Sequence, residues 1–154
     1  MRRRAGFTLV ELVVVMAIVG ILLTLATLYF SKMTTTRNIE KETRQLLADI
    51  NAARTQAMFG KQPTAITFQP NSYTIVGTAT RTTSVHYNLT LSDGSSIAGQ
   101  TVNFDTGGMA SSTSGSTLTL MVNPTNSGAS VDCIIIDTAR TSLGGMVNAS
   151  CTIK

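Results

Sequence analysis

The first thirty residues read MRRRAGFTLVELVVVMAIVGILLTLATLYF, a short basic start followed by a long apolar run. Within residues 7–30 the only charged side chain is Glu11, and residues 12–30 carry no charge at all. A helix needs roughly 20 predominantly apolar residues to cross the hydrocarbon core of a bilayer. This stretch therefore predicts a membrane-spanning helix, and it divides the chain into an anchored part and a part beyond it.

The position of the small residues differs from that of an ordinary secretory signal peptide, in which the cleavage site follows an apolar region of about 7 to 15 residues. Here the only small-residue junction beside the three arginines, Ala5-Gly6, precedes the apolar run. Cleavage after Gly6 would leave the helix on the mature protein. By the positive-inside tendency, the arginines predict that this end stays in the cytoplasm and that everything after Phe30 is exported.

Glu11 is a carboxylate one turn inside the apolar segment, where an ionisable group is costly and usually has a partner. A simple membrane anchor does not explain it. The leader Arg2 to Gly6 and the string Phe7-Thr8-Leu9-Val10-Glu11-Leu12 resemble the class III leader and N-terminal helix of type IV pilins and type II secretion pseudopilins.

The resemblance implies a processing step and an assembly contact. A prepilin peptidase would cut between Gly6 and Phe7 and methylate the new amine of Phe7. Glu11 would then pair with the Phe7 amine of a neighbouring subunit, since two charges in hydrocarbon become tolerable when they face one another. The implied partners are other pilins or pseudopilins, the prepilin peptidase and an inner-membrane assembly platform.

No proline occurs before Pro63. Many major pilins carry a helix-kinking proline late in the N-terminal segment, so its absence favours a minor pilin or a pseudopilin. Because nothing in residues 7–60 forces a break, we expect one continuous helix that is ended by Gly60 and Pro63.

Residues 31–61 form the second half of that helix, and their pattern is amphipathic. One set of residues recurs at spacings of 3 and 4: Ile39, Thr43, Leu46, Ile50, Ala53 and Ala57. Such spacing places them in one row, which we expect to cover a sheet. The other sides of the helix are left to polar residues, namely Lys41, Arg44, Asp49, Arg54 and Gln56.

Residues 62–154 consist of short alternating or β-branched runs, which are typical of strands. The predicted strands are 64–69, 72–76, 84–91, 97–105, 117–123, 131–137 and 146–153, with a turn at Gly144-Gly145 and a loop over 107–116. The expected class is α+β, a pilin-like fold whose long N-terminal helix packs on a C-terminal antiparallel β-sheet head. The expected divisions are a cleaved leader (1–6), a transmembrane and assembly half of the helix (7–30), an amphipathic half (31–61) and the head (62–154).

The head is similar in layout to the β-rich region of FimT/GspH-type minor pilins. The similarity rests on Val102 to Gly108 and on the runs 118–122 and 133–139. DNA-binding members of that group carry a GRxR-like element after the late strand, whereas this chain reads Ala139-Arg140-Thr141-Ser142 there. One arginine is retained, and the glycine and the second basic residue are missing.

The charge balance argues against a nucleic-acid partner. Without residues 1–6 the side chains carry nine basic and eight acidic groups, and residues 62–154 carry three basic and four acidic ones. A DNA-binding head normally shows a clustered basic surface, because neutralising phosphates drives the affinity. Arg140 and Lys154 are the candidates for a DNA contact near the expected loop, and the preferred interpretation is that Arg140 is a solvated loop residue.

Cys133 and Cys151 are the only cysteines, and both lie in the exported part. Because that compartment is oxidising, a disulfide between them is the default; it would stabilise the protein by about 2 to 4 kcal/mol and hold the last strand to the sheet. Pilins often have such a C-terminal disulfide loop, so the family resemblance points the same way.

An enzyme is not expected. The single histidine, His86, lies in an alternating run predicted as a strand, and the aspartates of the head lack the spacing of a calcium loop. The sequence has no glycine-rich phosphate loop, no G-x-S-x-G and no histidine spacing typical of a metal site. We therefore expect no catalytic residue, no cofactor and no metal.

The sequence thus predicts a minor pilin-like structural subunit of a type IV pilus. It would be inserted in the bacterial inner membrane with its N-terminus in the cytoplasm and its head in the periplasm, before assembly into the pilus. The alternative is a minor pseudopilin of a type II secretion system, which would assemble into a periplasmic pseudopilus. A DNA-binding minor pilin for natural transformation is the least favoured of the three functions.

Overall fold

A computed structural model describes residues 8–77, 80–113, 115, 117–123, 128–148 and 150–154. Within these residues one helix, α1 (Leu9–Gly60), is followed by ten strands. The strands are β1 (Thr64–Gln69), β2 (Ser72–Val76), β3 (Arg81–Ser84), β4 (Leu89–Leu91), β5 (Thr101–Phe104), β6 (Ala110–Ser112), β7 (Thr117–Val122), β8 (Cys133–Asp137), β9 (Thr141–Val147) and β10 (Ser150–Ile153). The predicted α+β class and continuous N-terminal helix are confirmed. The chain divides into two compact units at Thr35 and Thr36.

The first unit contains the apolar half of α1. Its large apolar side chains are exposed, for example 79% at Leu9 and 71% at Phe30. The most apolar stretch of 18 residues has a mean hydropathy of 2.8, and none of it is buried within the protein, so by length and composition α1 can cross a membrane. The hydroxyls of Thr24 and Thr27 donate to the backbone carbonyls of Gly20 and Thr24. Such internal partners are what polar groups require in hydrocarbon, where water is absent.

In the second unit, the remainder of α1 supplies one wall of the head's core. The predicted row is confirmed: all six of its side chains are buried, and Ile39, Ile50 and Ala57 are completely enclosed. Thr43 fits in this row because its hydroxyl donates to the carbonyl of Ile39 at 2.8 Å. The assignment of Asp49 to an outer side is wrong, since this residue is only 6% exposed.

The strands form two five-stranded sheets in which every pair is antiparallel, in the orders β3-β2-β1-β5-β6 and β10-β9-β8-β7-β4. Alternate residues face inward, as the two-residue period of a strand requires. In β1 these are Ile66 and Phe68, and in β7 they are Leu118 and Leu120. One cluster of buried side chains joins the helix row to both sheets.

The predicted strand over 84–91 is wrong, because β3 ends at Ser84 and β4 begins at Leu89. The carboxylate of Glu42 on α1 accepts the backbone N–H groups of His86 and Tyr87 at 2.9 and 3.1 Å. These backbone groups therefore bond to the helix rather than to a neighbouring strand. The predicted strands over 97–105 and 131–137 are shorter than expected, because β5 covers only 101–104 and β8 only 133–137.

Two further differences lie in the C-terminal half. Residues 107–116, predicted as a loop, contain β6, which pairs with β5. The predicted strand 146–153 is instead parts of two strands, β9 and β10, which reverse direction at Asn148 with a φ of 51°. Asparagine is one of the residues that tolerates this left-handed conformation. Gly144 and Gly145 lie inside β9 and do not form the predicted turn.

Candidate functional site

The N-terminus of α1 carries the first candidate site. The hydroxyl of Thr8 accepts the backbone N–H of Glu11 at 3.2 Å, and the carbonyl of Thr8 accepts the N–H of Leu12 at 3.2 Å. Thr8 is therefore the N-cap of the helix and Glu11 its third residue, the spacing of a capping box. A carboxylate at this position is favoured by the partial positive charge of the helix N-terminus.

Thr8 is not among the predicted site residues, although the pattern Thr-x-x-Glu lies in the same string as Glu11. Gly6 and Phe7, the predicted processing residues, lie outside the described residues, and so does the leader. The pairing of Glu11 with the Phe7 amine of a neighbouring subunit stays a prediction. Within the described residues the only ion pair joins Arg81 and Asp49.

Polar side chains on α1 connect the helix to the backbone of the head. Besides Glu42, Glu40 accepts the N–H of Ser130 at 2.7 Å. Hydrogen bonds from Ser130 lower the pKa of Glu40, with smaller contributions from nearby cations. Arg54 donates to the carbonyl of Ala139 at 2.6 Å and lies 5.3 Å from the centre of the Phe104 ring. The hydrogen bonds of Glu42, Glu40 and Arg54 join the helix to three different connections of the head, those between β3 and β4, β7 and β8, and β8 and β9.

Asp49 is the buried centre of a polar cluster that also contains the buried Tyr73 and the exposed Arg81. One carboxylate oxygen accepts the hydroxyl of Tyr73 at 2.5 Å, and the other accepts the guanidinium of Arg81 at 2.6 Å. Burial, together with the hydrogen bond to Asp49, raises the pKa of Tyr73 well above its ordinary value. A buried carboxylate is tolerable when it is paired and hydrogen-bonded in this way, so the cluster has a structural role in joining α1 to β2 and β3.

Replacing Tyr73 with phenylalanine is expected to lower the free energy of unfolding by about 2 kcal/mol, because a hydrogen bond to a buried carboxylate is lost. This difference in unfolding free energy between the unchanged protein and the variant should shrink above pH ~10, where the unfolded chain releases the Tyr73 proton and the folded chain keeps it. In that range the folded state binds more protons, so the stability of the unchanged protein falls as pH rises. Denaturant unfolding at pH 8 and near pH 11 measures both effects, and Tyr87→Phe is the matched control. Equal pH dependence in the protein with and without Tyr73 would contradict the expectation.

Cys133 and Cys151 are joined by a disulfide, with their Cα atoms 6.1 Å apart. Cys133 lies in β8 and Cys151 in β10, so the bond crosses over β9, the strand between them. Strands separated by one neighbour lie about 9.5 Å apart in a flat sheet, and the sheet therefore bends across β9. A Cβ atom on Gly144 would lie 2.6 Å from the sulfur of Cys151 and 3.0 Å from that of Cys133.

Gly144 and Gly145 are thus explained by close approach rather than by a turn. A Cβ atom on Gly145 would lie 2.8 Å from the carbonyl oxygen of Ser130. The sequence pattern could not reveal this, because two adjacent glycines are also a common turn signal.

The two candidate DNA contacts are not brought together. Arg140 lies in the exposed turn between β8 and β9, where its carbonyl accepts the N–H of Asp137. The ammonium of Lys154 instead lies beside Gly145 and donates to the carbonyl of Ser130 at 2.7 Å. Arg140 and Gly145, beside which the Lys154 ammonium lies, are five residues apart, or about 17 Å along an extended strand. This arrangement does not provide a clustered basic surface at the late turn.

The described part of the chain holds no group of three or more histidine, cysteine, aspartate or glutamate side chains that could bind a metal ion. His86 is exposed in the connection between β3 and β4, where its ring meets that of Tyr87 edge-on at 5.0 Å. This edge-on contact packs the two rings against each other.

Comparison with known families matches two different parts of the chain. Residues 1–27 match the prokaryotic N-terminal methylation motif. Together with the long helix and the β-rich head, this match identifies the protein as a membrane-anchored type IV pilin or type II secretion pseudopilin. Residues 42–139, more than half of the chain, match the family of the type II transport protein GspH. The chain belongs to the GspH family, a structural and non-enzymatic kind of protein whose members assemble with other pilins. No curated protein and no solved structure matches it significantly.

Proposed function

We propose that the protein is a minor type IV pilin held in the bacterial inner membrane with its head in the periplasm. In this proposal prepilin peptidase removes residues 1–6 by cutting after Gly6 and methylates the amine of Phe7. Residues 7–30 then serve as membrane anchor and assembly segment, residues 31–61 support the head, and residues 62–154 form it.

The observation that carries the proposal is α1. It runs without interruption from Leu9 to Gly60, and its most apolar stretch is not buried within the protein. Residues 9–30 are predominantly apolar, and the single charged residue among them is Glu11 near the N-terminus. An exposed apolar surface of this length needs lipid or other helices around it. Glu11 has the helix dipole as a partial counter-charge in the single subunit, and an ammonium from a neighbour would supply a full one on assembly.

The processing step predicts the N-terminus of the mature protein. In cells that contain prepilin peptidase, the membrane-extracted protein is expected to begin at Phe7 with one methyl group on its amine, as mass spectrometry of the N-terminal peptide will measure. Gly6→Leu is expected to retain the leader, whereas the matched change Ala5→Ser is expected to be processed. A mature chain that begins at Met1, or an unmethylated Phe7, contradicts the proposed processing.

A second candidate is a minor pseudopilin of a type II secretion system, and it is favoured by the description of the matching family as a type II transport protein. The same processing and helix packing would then build a short periplasmic pseudopilus. A deletion strain distinguishes the two functions. Loss of surface pili with normal secretion supports the pilus, whereas retention of secreted enzymes in the periplasm with normal pili supports the secretion system.

A further inference from the structure

Between Arg37 and Asp49, α1 separates its charges by direction. The carboxylates of Glu40, Glu42 and Asp49 are directed to the head, where each accepts hydrogen bonds from it. The cations of Arg37, Lys41 and Arg44 are exposed. We call these three residues the basic stripe.

The basic stripe lies on one side of the helix. Its members are spaced at i, i+4 and i+7, so they fall within about 60° of one another and extend over about 10 Å of helix. The buried row that begins at Ile39 lies on the opposite side, against the core. Together with Glu40, Gln45 and Ala48, the three cations line a shallow surface groove.

The stripe has little counter-charge within the molecule. In the part of the chain that the structure describes, the one ion pair is Arg81 with Asp49, and none of the three stripe residues takes part in it. Arg44 helps to lower the pKa of Glu40, but that carboxylate is already bonded to the backbone of Ser130. The segment 31–61 carries six basic and three acidic residues, whereas residues 62–154 carry three basic and four acidic ones.

From this separation we propose that the basic stripe binds a carboxylate-bearing surface on a neighbouring pilin subunit. The inference rests on the proposed function, because it requires an assembly that places another subunit beside α1. Charge complementarity supports a pilin head as the occupant. This chain's own head is slightly acidic, and it exposes Asp93 and Asp105, each of which holds its turn through one oxygen, Oδ1.

A nucleic acid fits the stripe less well. Three cations can neutralise about three phosphates, which gives a salt dependence of only about 2.7 in log–log slope and a correspondingly weak electrostatic contribution. The nine basic and eight acidic side chains beyond residue 6 leave almost no net charge to attract a polyanion. An acidic protein surface needs only two or three matched carboxylates.

The test uses the full-length protein in its own assembled complex and a carbodiimide, which joins an amine to a carboxylate as an amide with loss of water. We expect a cross-link from the Lys41 amine to an aspartate or glutamate in a peptide of another pilin subunit. Lys41→Arg keeps the charge and removes the amine, so it is expected to assemble normally and to lose this product. Lys61→Arg, an exposed lysine outside the stripe, is the matched control and is expected to keep it.

A second variant tests the energetics. Arg37→Glu combined with Arg44→Glu is expected to lower incorporation of the protein into the assembly about tenfold or more, because like charges that face each other at an interface repel. Changing the cross-linked carboxylate of the partner to lysine is expected to restore incorporation, which no loss of folding would allow.

Normal incorporation of the double variant, a Lys41 cross-link confined to its own chain, or no Lys41 cross-link in assembled protein would overturn the inference. The inference would also be overturned if the double variant lost binding to phosphatidylglycerol vesicles or to duplex DNA but did not lose its contact with a pilin partner. If the unchanged protein enters no assembly at all, the proposed function fails. If it does enter, and only the stripe is dispensable, the inference alone fails.

Discussion

Glu11→Val is expected to leave the protein at its normal level in the membrane and to remove it from assembled filaments. Without the carboxylate, the Phe7 ammonium of a neighbour would enter hydrocarbon unpaired. An unpaired charge within the hydrocarbon costs about 3 kcal/mol, which corresponds to a reduction in incorporation of about a hundredfold. Fractionation of cells into membranes and sheared filaments, with the subunit quantified in each, measures the effect.

Three variants separate the charge of Glu11 from its position on the helix. Glu11→Gln keeps the size and removes the charge, so it is expected to behave like valine. Glu11→Asp keeps the charge on a shorter side chain and should retain part of the incorporation. Thr8→Val removes the N-cap, which contributes about 1 kcal/mol to the helix, but it leaves the carboxylate of Glu11. It is therefore expected to reduce incorporation less than Glu11→Val does. Normal incorporation of Glu11→Val would refute the pairing with Phe7.

Gly144→Val is the second change with a large expected effect. The new side chain would occupy the space above β9 that the disulfide between Cys133 and Cys151 crosses, and its Cβ would also lie 2.7 Å from the backbone oxygen of Thr152. The backbone cannot move away easily, since it belongs to the neighbouring strand. We expect the disulfide to be lost, together with its contribution of about 2 to 4 kcal/mol.

Thiol titration under non-reducing conditions measures this outcome directly, with two reactive thiols expected in the variant and none in the unchanged protein. Denaturant unfolding gives the stability. Ser142→Val, two residues earlier in β9, introduces the same side chain at a half-buried position and is the matched control. A fully oxidised Gly144→Val protein with an unchanged unfolding midpoint would contradict the role of Gly144.

The helix could be predicted well because its two halves carry periodic signals over many residues. The apolar run shows the membrane segment, and the row from Ile39 to Ala57 repeats at helical spacing over five turns. Asp49 was misplaced because a charged residue beside such a row is normally solvated. Only the folded chain brings Tyr73 and Arg81 to it, and those residues are more than 20 positions away in sequence.

Strand boundaries were less predictable where a distant residue decides them. Residues 85–88 have strand-like alternation, but Glu42 takes up the backbone groups of two of them. Gly144 is predicted as a turn residue, but in the structure its missing side chain leaves room for the disulfide between Cys133 and Cys151. In the candidate assembly site, Glu11 was evident from its isolation in an apolar run. Its contact with Thr8 could have been predicted from local spacing alone.

The enclosure of Ile39, Ile50 and Ala57 has a consequence for the order of folding. Chains are made from the N-terminus, so the residues of the helical wall are available before any strand that covers them. The first sheet can begin to form on this wall as soon as β1 and β2 appear. By contrast, β4 must wait for β7, which begins 26 residues after β4 ends. The helix can therefore cover the early strands while one side of the head still lacks its partners.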